Sequence, residues 1–177
     1  VTYNASPQAA AVSCSGGGAV SNIRYNGSTT TPTNAATYAI VVDCAANGGF
    51  SATINVAAGD FIINKATPTL SVNNSPVVYD GSPKAATVSG SVAGSVSNVQ
   101  YNGSATVPTN AATYAVTADF TPTDTVNYNS LTGASAGNFV INKAAASASV
   151  TNSPVTYDGS AKSAAVSCAG GGAASNI

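Results

Sequence analysis

The 177 residues carry five Lys or Arg, six acids and no His, so that only 6% are charged and the net charge is −1, against about 25% charged residues in ordinary soluble domains. That balance leaves nothing to attract nucleic acid or an anionic membrane surface. With no His, Met, Trp or Glu, the chain lacks the groups for hydrolytic triads, zinc centres and most acid–base catalysis. No apolar run approaches the roughly 18 residues of a membrane-spanning helix, so no membrane insertion is expected of this segment. In chain order, SNIRYNGS (21–28) reads as a strand closing on the turn pair Asn26-Gly27. PTNAATYAIVVDC (32–44) reads as a turn and then a strand with Tyr38, Ile40, Val42 and Cys44 on one face. FIINKA (61–66) is a further strand. The same order then returns. SNVQYNGS (97–104) places Ser97, Val99 and Tyr101 on one face and Asn98 and Gln100 on the other. In YAVTADF (114–120), Tyr114, Val116, Ala118 and Phe120 oppose Thr117 and Asp119, and FVINKA (139–144) follows. No window holds a helical period.

Tyr38 recurs as Tyr114, Tyr3 as Tyr79 and Tyr25 as Tyr101, each 76 positions on, and Phe61 recurs as Phe139, 78 on. Two extra residues therefore lie between Phe120 and Phe139, in a loop. A third opening, SPVTYDGSAKSAAVSC, begins at 153, and residues 155–177 retrace 1–23. Self-similarity at this period marks a chain of stacked units. The expected units are 1–66, 67–144 and the start of a third at 145–177, read as a window on a longer array. The expected fold is all-β: tandem small β-sandwich (Ig-like) repeats of about 76–78 residues, arranged as a rod or fibre. Tyr25, Tyr38, Tyr101, Tyr114 and Phe120 are its core anchors.

The repeat register also sorts the three cysteines. Cys14 corresponds to Gly90 and Cys44 to Phe120, so the first unit has both thiols and the second neither. Positions that change together within one chain are in contact, which predicts a Cys14–Cys44 disulfide; the alternative is a pair of buried free thiols. Closing a loop of about 30 residues is worth about 3.5 kcal/mol on a chain-entropy basis. Cys168 corresponds to Cys14, and its expected partner lies beyond Ile177. A disulfide places the protein in an oxidising compartment. Other chemistry is thin. Asp119 and Asp124 are the best acids for a calcium site, yet Ca²⁺ takes several carboxylates. Lys65 or Lys143 could form an isopeptide staple or simply end a strand in solvent. SGGG (15–18) and AGGG (169–172) have neither the helix nor the lysine of a phosphate cradle. Asn4, Asn26, Asn73 and Asn102 head glycosylation sequons, although Asn-Gly pairs also serve as turns. Nothing calls for a cofactor or a catalytic residue.

SPVTYDGSAKSAAVS, TNAATYAV and NYNSLTGASAGNFVINKA resemble the MBG/YDG-type tandem repeats of large bacterial surface proteins. Those repeats share a Tyr-Asp-Gly opening, an Asn-Ala-Gly-Thr-Tyr centre and a Phe-x-Ile-x-Lys-Ala close. Here Ala36 and Ala112 replace the central Gly, and the first unit opens Tyr3-Asn4-Ala5. The resemblance implies secretion, an extracellular or cell-surface location and no active site. The expected role is the structural repeat region of an extracellular fibre, filament or stalk. Its partners would be copies of itself, added strand to strand at sheet edges with few charges to guard them. The alternative is an adhesin module for glycans or host mucin, whose mark would be a cluster of exposed aromatics on one face.

Overall fold

The computed structural model describes residues 1–175 and contains no helix among them. In the first unit, β1 (Val20–Tyr25), β2 (Ala36–Cys44) and β3 (Thr53–Ile63) form an antiparallel sheet in the order β1-β2-β3. Thr2 adds a parallel bridge to Asn64 beside β3. The second unit repeats this with β7 (Gly94–Tyr101), β8 (Thr113–Pro122) and β9 (Leu131–Asn142), and β5 (Val77–Val78) pairs parallel with β9 where Thr2 bridges Asn64. Across from that sheet lie β4 (Leu70–Val72) and β6 (Val88–Gly90). Leu70, Val72 and Val88 pack onto buried Tyr101, Val116, Ala136, Phe139 and Ile141, which makes the second unit a small sandwich. The third unit contributes β10 (Ala148–Val150) and β11 (Val166–Cys168), paired as β4 is with β6.

The tyrosines tie the layers together. The Tyr25 hydroxyl accepts the Ala10 N–H at 2.9 Å and that of Tyr101 accepts the Ala86 N–H at 2.8 Å; both rings are 5% exposed. Tyr38 and Tyr114 are half-buried. Each packs edge-on to the buried tyrosine of its unit and donates its hydroxyl to a carbonyl four residues back, Asn34 or Asn110. Phe120 is 1% exposed. The Asn-Gly turns have both residues at positive φ, 48° and 86° at Asn26-Gly27 and 49° and 83° at Asn102-Gly103, the type I′ geometry that suits the twist of a two-residue hairpin.

Strict alternation along 97–101 does not hold. Val96 lies opposite Phe120 and Tyr101 opposite Val116, five residues on one strand against four on the other. A bulge at Asn98 (φ 51°) absorbs the odd residue, so Val96 turns inward while Ser97 is exposed. β1 has the same irregularity, with Asn22 at φ 50°.

Cys14 and Cys44 are bonded, with Cα atoms 5.9 Å apart. At the equivalent place in the second unit the Phe120 ring lies flush with two glycines. A Cβ on Gly90 would sit 2.4 Å from that ring and one on Gly94 2.5 Å, so only glycine leaves room for the phenyl group. Cys168 is half-buried and unpaired among the described residues.

Candidate functional site: the junction between repeats

The residues that invite chemistry in the sequence are spent locally. Asp119 accepts the Gly133 N–H at 2.6 Å and the Asn98 amide at 3.2 Å. Its repeat equivalent, Asp43, accepts Asn55 N–H at 2.9 Å, Asn22 at 2.7 Å and Arg24 at 3.2 Å. The Asn22 amide, the Asn55 N–H and the Arg24 charge hold the Asp43 carboxyl below its ordinary value. Both aspartates therefore knit bulged strands together. Among the described residues no three acids, cysteines or histidines converge on a metal position. Asp80 and Asp158 each accept an N–H two residues on and pair with Lys84 and Lys162, which fixes the Tyr-Asp-Gly turn. Asn4 makes the same turn in the first unit by accepting the Ser6 N–H at 3.0 Å.

Asn4, Asn26, Asn73 and Asn102 are all exposed. The carboxamide oxygens of Asn26 and Asn102 accept the N–H of Ala39 and Ala115 at 2.8 Å, and Asn73 donates to Ser89.

The constellation that the sequence did not announce lies where the first two units meet. The β8–β9 hairpin tip of the second unit reaches back across FIINKA. Its centre is Asn127, 6% exposed, the one buried polar side chain among the described residues. Asp124 shapes the tip by accepting the N–H groups of Val126 and Asn127 at 3.1 Å and the Asn127 amide at 2.8 Å. So oriented, the Asn127 oxygen accepts the Ala35 N–H at 2.7 Å, and its amide donates to the Asn34 side chain at 3.3 Å. The backbone joins in: Ala66 donates to the Asn127 carbonyl at 2.8 Å and accepts from Asn129 at 2.9 Å. Lys65 donates to the Thr125 carbonyl at 2.6 Å. Tyr128 meets Tyr3 edge-on, with ring centroids 5.4 Å apart. The Asn127 amide first, and then backbone N–H groups and the Lys65 charge, keep the Asp124 carboxyl below its ordinary value.

This arrangement performs no reaction. Each neutral hydrogen bond is worth about 0.5–1.5 kcal/mol and the aromatic pair a similar amount, so together they dock one repeat on the next. Lys65 is thereby placed as a junction donor, not as a staple or a solvated strand end. The two extra residues of the second unit fall between the Cys44–Thr53 and Phe120–Leu131 pairs, inside this tip. The signals available beforehand were that insertion and the NYN triplet at 127–129; neither has a repeat partner that would mark it as a contact.

No curated protein and no solved structure matches the chain. The family described as the MBG domain matches residues 1–67 and, consecutively, 68–145. With two matched segments in tandem and the same strands, turns and tyrosine contacts built twice, the chain belongs to the MBG domain family.

Proposed function

We propose that this chain is the structural repeat region of a secreted extracellular fibre, filament or cell-surface stalk, whose work is to hold length and shape. The observation that carries this reading is the junction. A linker of a few residues, FIINKA into Thr67, is clasped from both sides by Asn127, Tyr128 and Asn129, and nearest-neighbour contacts of this kind stiffen a repeat array. The Cys14–Cys44 disulfide supports an oxidising, extracellular setting. The large exposed aromatics, Phe50, Tyr79 and Tyr157, are spread one to a unit, which lends no support to an aromatic sugar-binding face. Bulges at Asn22 and Asn98 kink the edge strands β1 and β7 and work against simple strand addition there.

The test is small-angle scattering on the purified chain. A stiff scaffold gives a single elongated particle with each repeat adding about 40 Å, the reach of a twelve-residue strand at roughly 3.3 Å per residue. A distribution of bent and extended forms, with the repeats swinging independently, would sink the scaffold reading.

A further inference from the structure

The duplicated peptide PTNAATYA supplies Asn34 and Ala35 to the first junction and Asn110 and Ala111 to the far end of the second unit. At that far end a cleft of about 650 Å3 lies between the second and third units. Its walls include Tyr79, Asn110, Ala111, Lys143 and Ala144. These are the repeat equivalents of Tyr3, Asn34, Ala35, Lys65 and Ala66, the groups that hold the second unit's hairpin tip. The cleft thus repeats, group for group, the receiving half of a junction already filled elsewhere in the same chain. Lys143 has no hydrogen bond or ion pair among the described residues and Tyr79 is 39% exposed.

The complementary half is also present, at the opposite end. The first unit's own hairpin tip, between β2 and β3, carries Phe50 at the repeat position of Tyr128, and Phe50 is 57% exposed. In its own unit that ring rests on Gly16, where a Cβ would sit 2.4 Å away. The repeat equivalent of Gly16 is Gly170, which lines the open cleft. A tip entering the cleft therefore exchanges one glycine wall for another of the same repeat position, as in the swapping of identical elements between protomers.

We propose that this cleft is a docking socket for the first-unit hairpin tip of a second copy of the chain, with Phe50 seated against Tyr79 as Tyr128 is against Tyr3. Socket and tip lie at opposite ends of a two-unit body, so the contact is heterologous: each copy offers a tip to one neighbour and a socket to the next, and the assembly grows as a polar filament. This deepens the scaffold reading and rests on it.

The experiment uses three purified chains: the natural sequence, Phe50→Ala and Tyr79→Ala. Circular dichroism and thermal unfolding confirm that both variants fold as the natural chain does. In sedimentation velocity over a rising concentration series, the natural chain is expected to form progressively longer species. Each variant alone should associate about tenfold more weakly or worse, the usual cost of deleting a central aromatic anchor. An equimolar mixture should yield a capped dimer and nothing longer, because only the Tyr79→Ala tip and the Phe50→Ala socket are intact. A natural chain that stays monomeric throughout, association indifferent to both substitutions, or a mixture that forms no dimer each overturns the proposal. So does a chain lengthened by residues 24–66 after Ile177 in which Tyr79 becomes protected while the natural chain remains monomeric, since the occupant is then a tip of the same chain. Scattering from the monomer separates the two readings: a stiff monomer defeats the socket alone, and a flexible one defeats the scaffold.

Discussion

The first and second units stabilise the same point in different ways. Where one sheet of the first unit meets the segment opposite it, Cys14 is bonded to Cys44; in the second, Phe120 fills the space above Gly90 and Gly94. The surroundings differ accordingly. Phe139 is fully buried beneath Leu70 and Val72, whereas its equivalent Phe61 is half-exposed. The repeat register places the equivalents of Leu70 and Val72 ahead of Val1. A covalent bond constrains the unfolded chain and asks little of the packing around it, while a phenyl group works only in a matched cavity. Two repeats with nearly the same strands can therefore have different weak points.

The sharpest way to break the comparison is to empty that cavity. Phe120→Ala is expected to destabilise the second unit by about 3–5 kcal/mol, the transfer and cavity cost of a buried phenyl group. The first unit, which does not touch that ring, should keep its own transition in denaturant-induced unfolding followed by tyrosine fluorescence. A single shared transition that shifts as a whole would mean that the junction couples the units more tightly than the cores separate them.

Reduction of the disulfide is the mirror experiment, with an expected loss of about 3.5 kcal/mol confined to the first unit. The equivalence of the two solutions is tested by grafting one onto the other. Gly18 already stands where Gly94 does, so Cys14→Gly with Cys44→Phe recreates the second unit's arrangement in the first. The double variant should recover most of the stability lost on reduction. If it is no better than the reduced protein, the phenyl group depends on the fuller sandwich around it and the exchange is not local.

The disulfide was legible because it lies within one repeat. Two copies of a pattern in a single chain act as their own comparison, and Cys14 with Cys44 changing together to Gly90 with Phe120 is a contact written twice. The type I′ turns and inward tyrosines were legible for a related reason, since Asn-Gly and alternation are local signals. The bulges at Asn22 and Asn98 were not, because alternation assigns a face to Ser97 that only the partner strand's count from Val116 to Phe120 overrules. The junction was the least legible part. Its contacts run between residues some 90 positions apart, such as Ala35 and Asn127, and Asn127 aligns with Gly49, so the repeat register gives no covarying partner to expose it.

Asn127→Ala addresses that hidden contact. It leaves the Ala35 N–H without its acceptor and removes the amide that Asp124 and Asn34 accept, an expected cost of about 1–3 kcal/mol at the buried donor. Neither core is touched. The loss should appear as broader, uncoupled unfolding of the two units and a wider spread of shapes in scattering, with secondary structure unchanged. Variant and natural chains of equal stiffness would show that the linker and the tyrosine pair suffice.

The smallest effect is the response to acid, and its sign follows from Asp124. That carboxyl is held below its ordinary value of 3.8, chiefly by the Asn127 amide and with help from Lys65 across the junction. A group whose folded value is depressed contributes its stabilisation above the unfolded value and loses it as pH falls through the folded one. The coupling between the first two units should therefore be constant from neutrality down to about pH 4 and weaken below it, with repulsion between the protonated tip and Lys65 playing no part. Asn127→Ala, which removes the largest cause of the shift, should flatten this dependence. Asp43 responds in the same direction inside the first unit, so the readout must be the coupling between transitions and not the midpoint of either. A coupling that weakens equally with acid in both chains would assign the dependence to Asp43 and detach Asp124 from the junction.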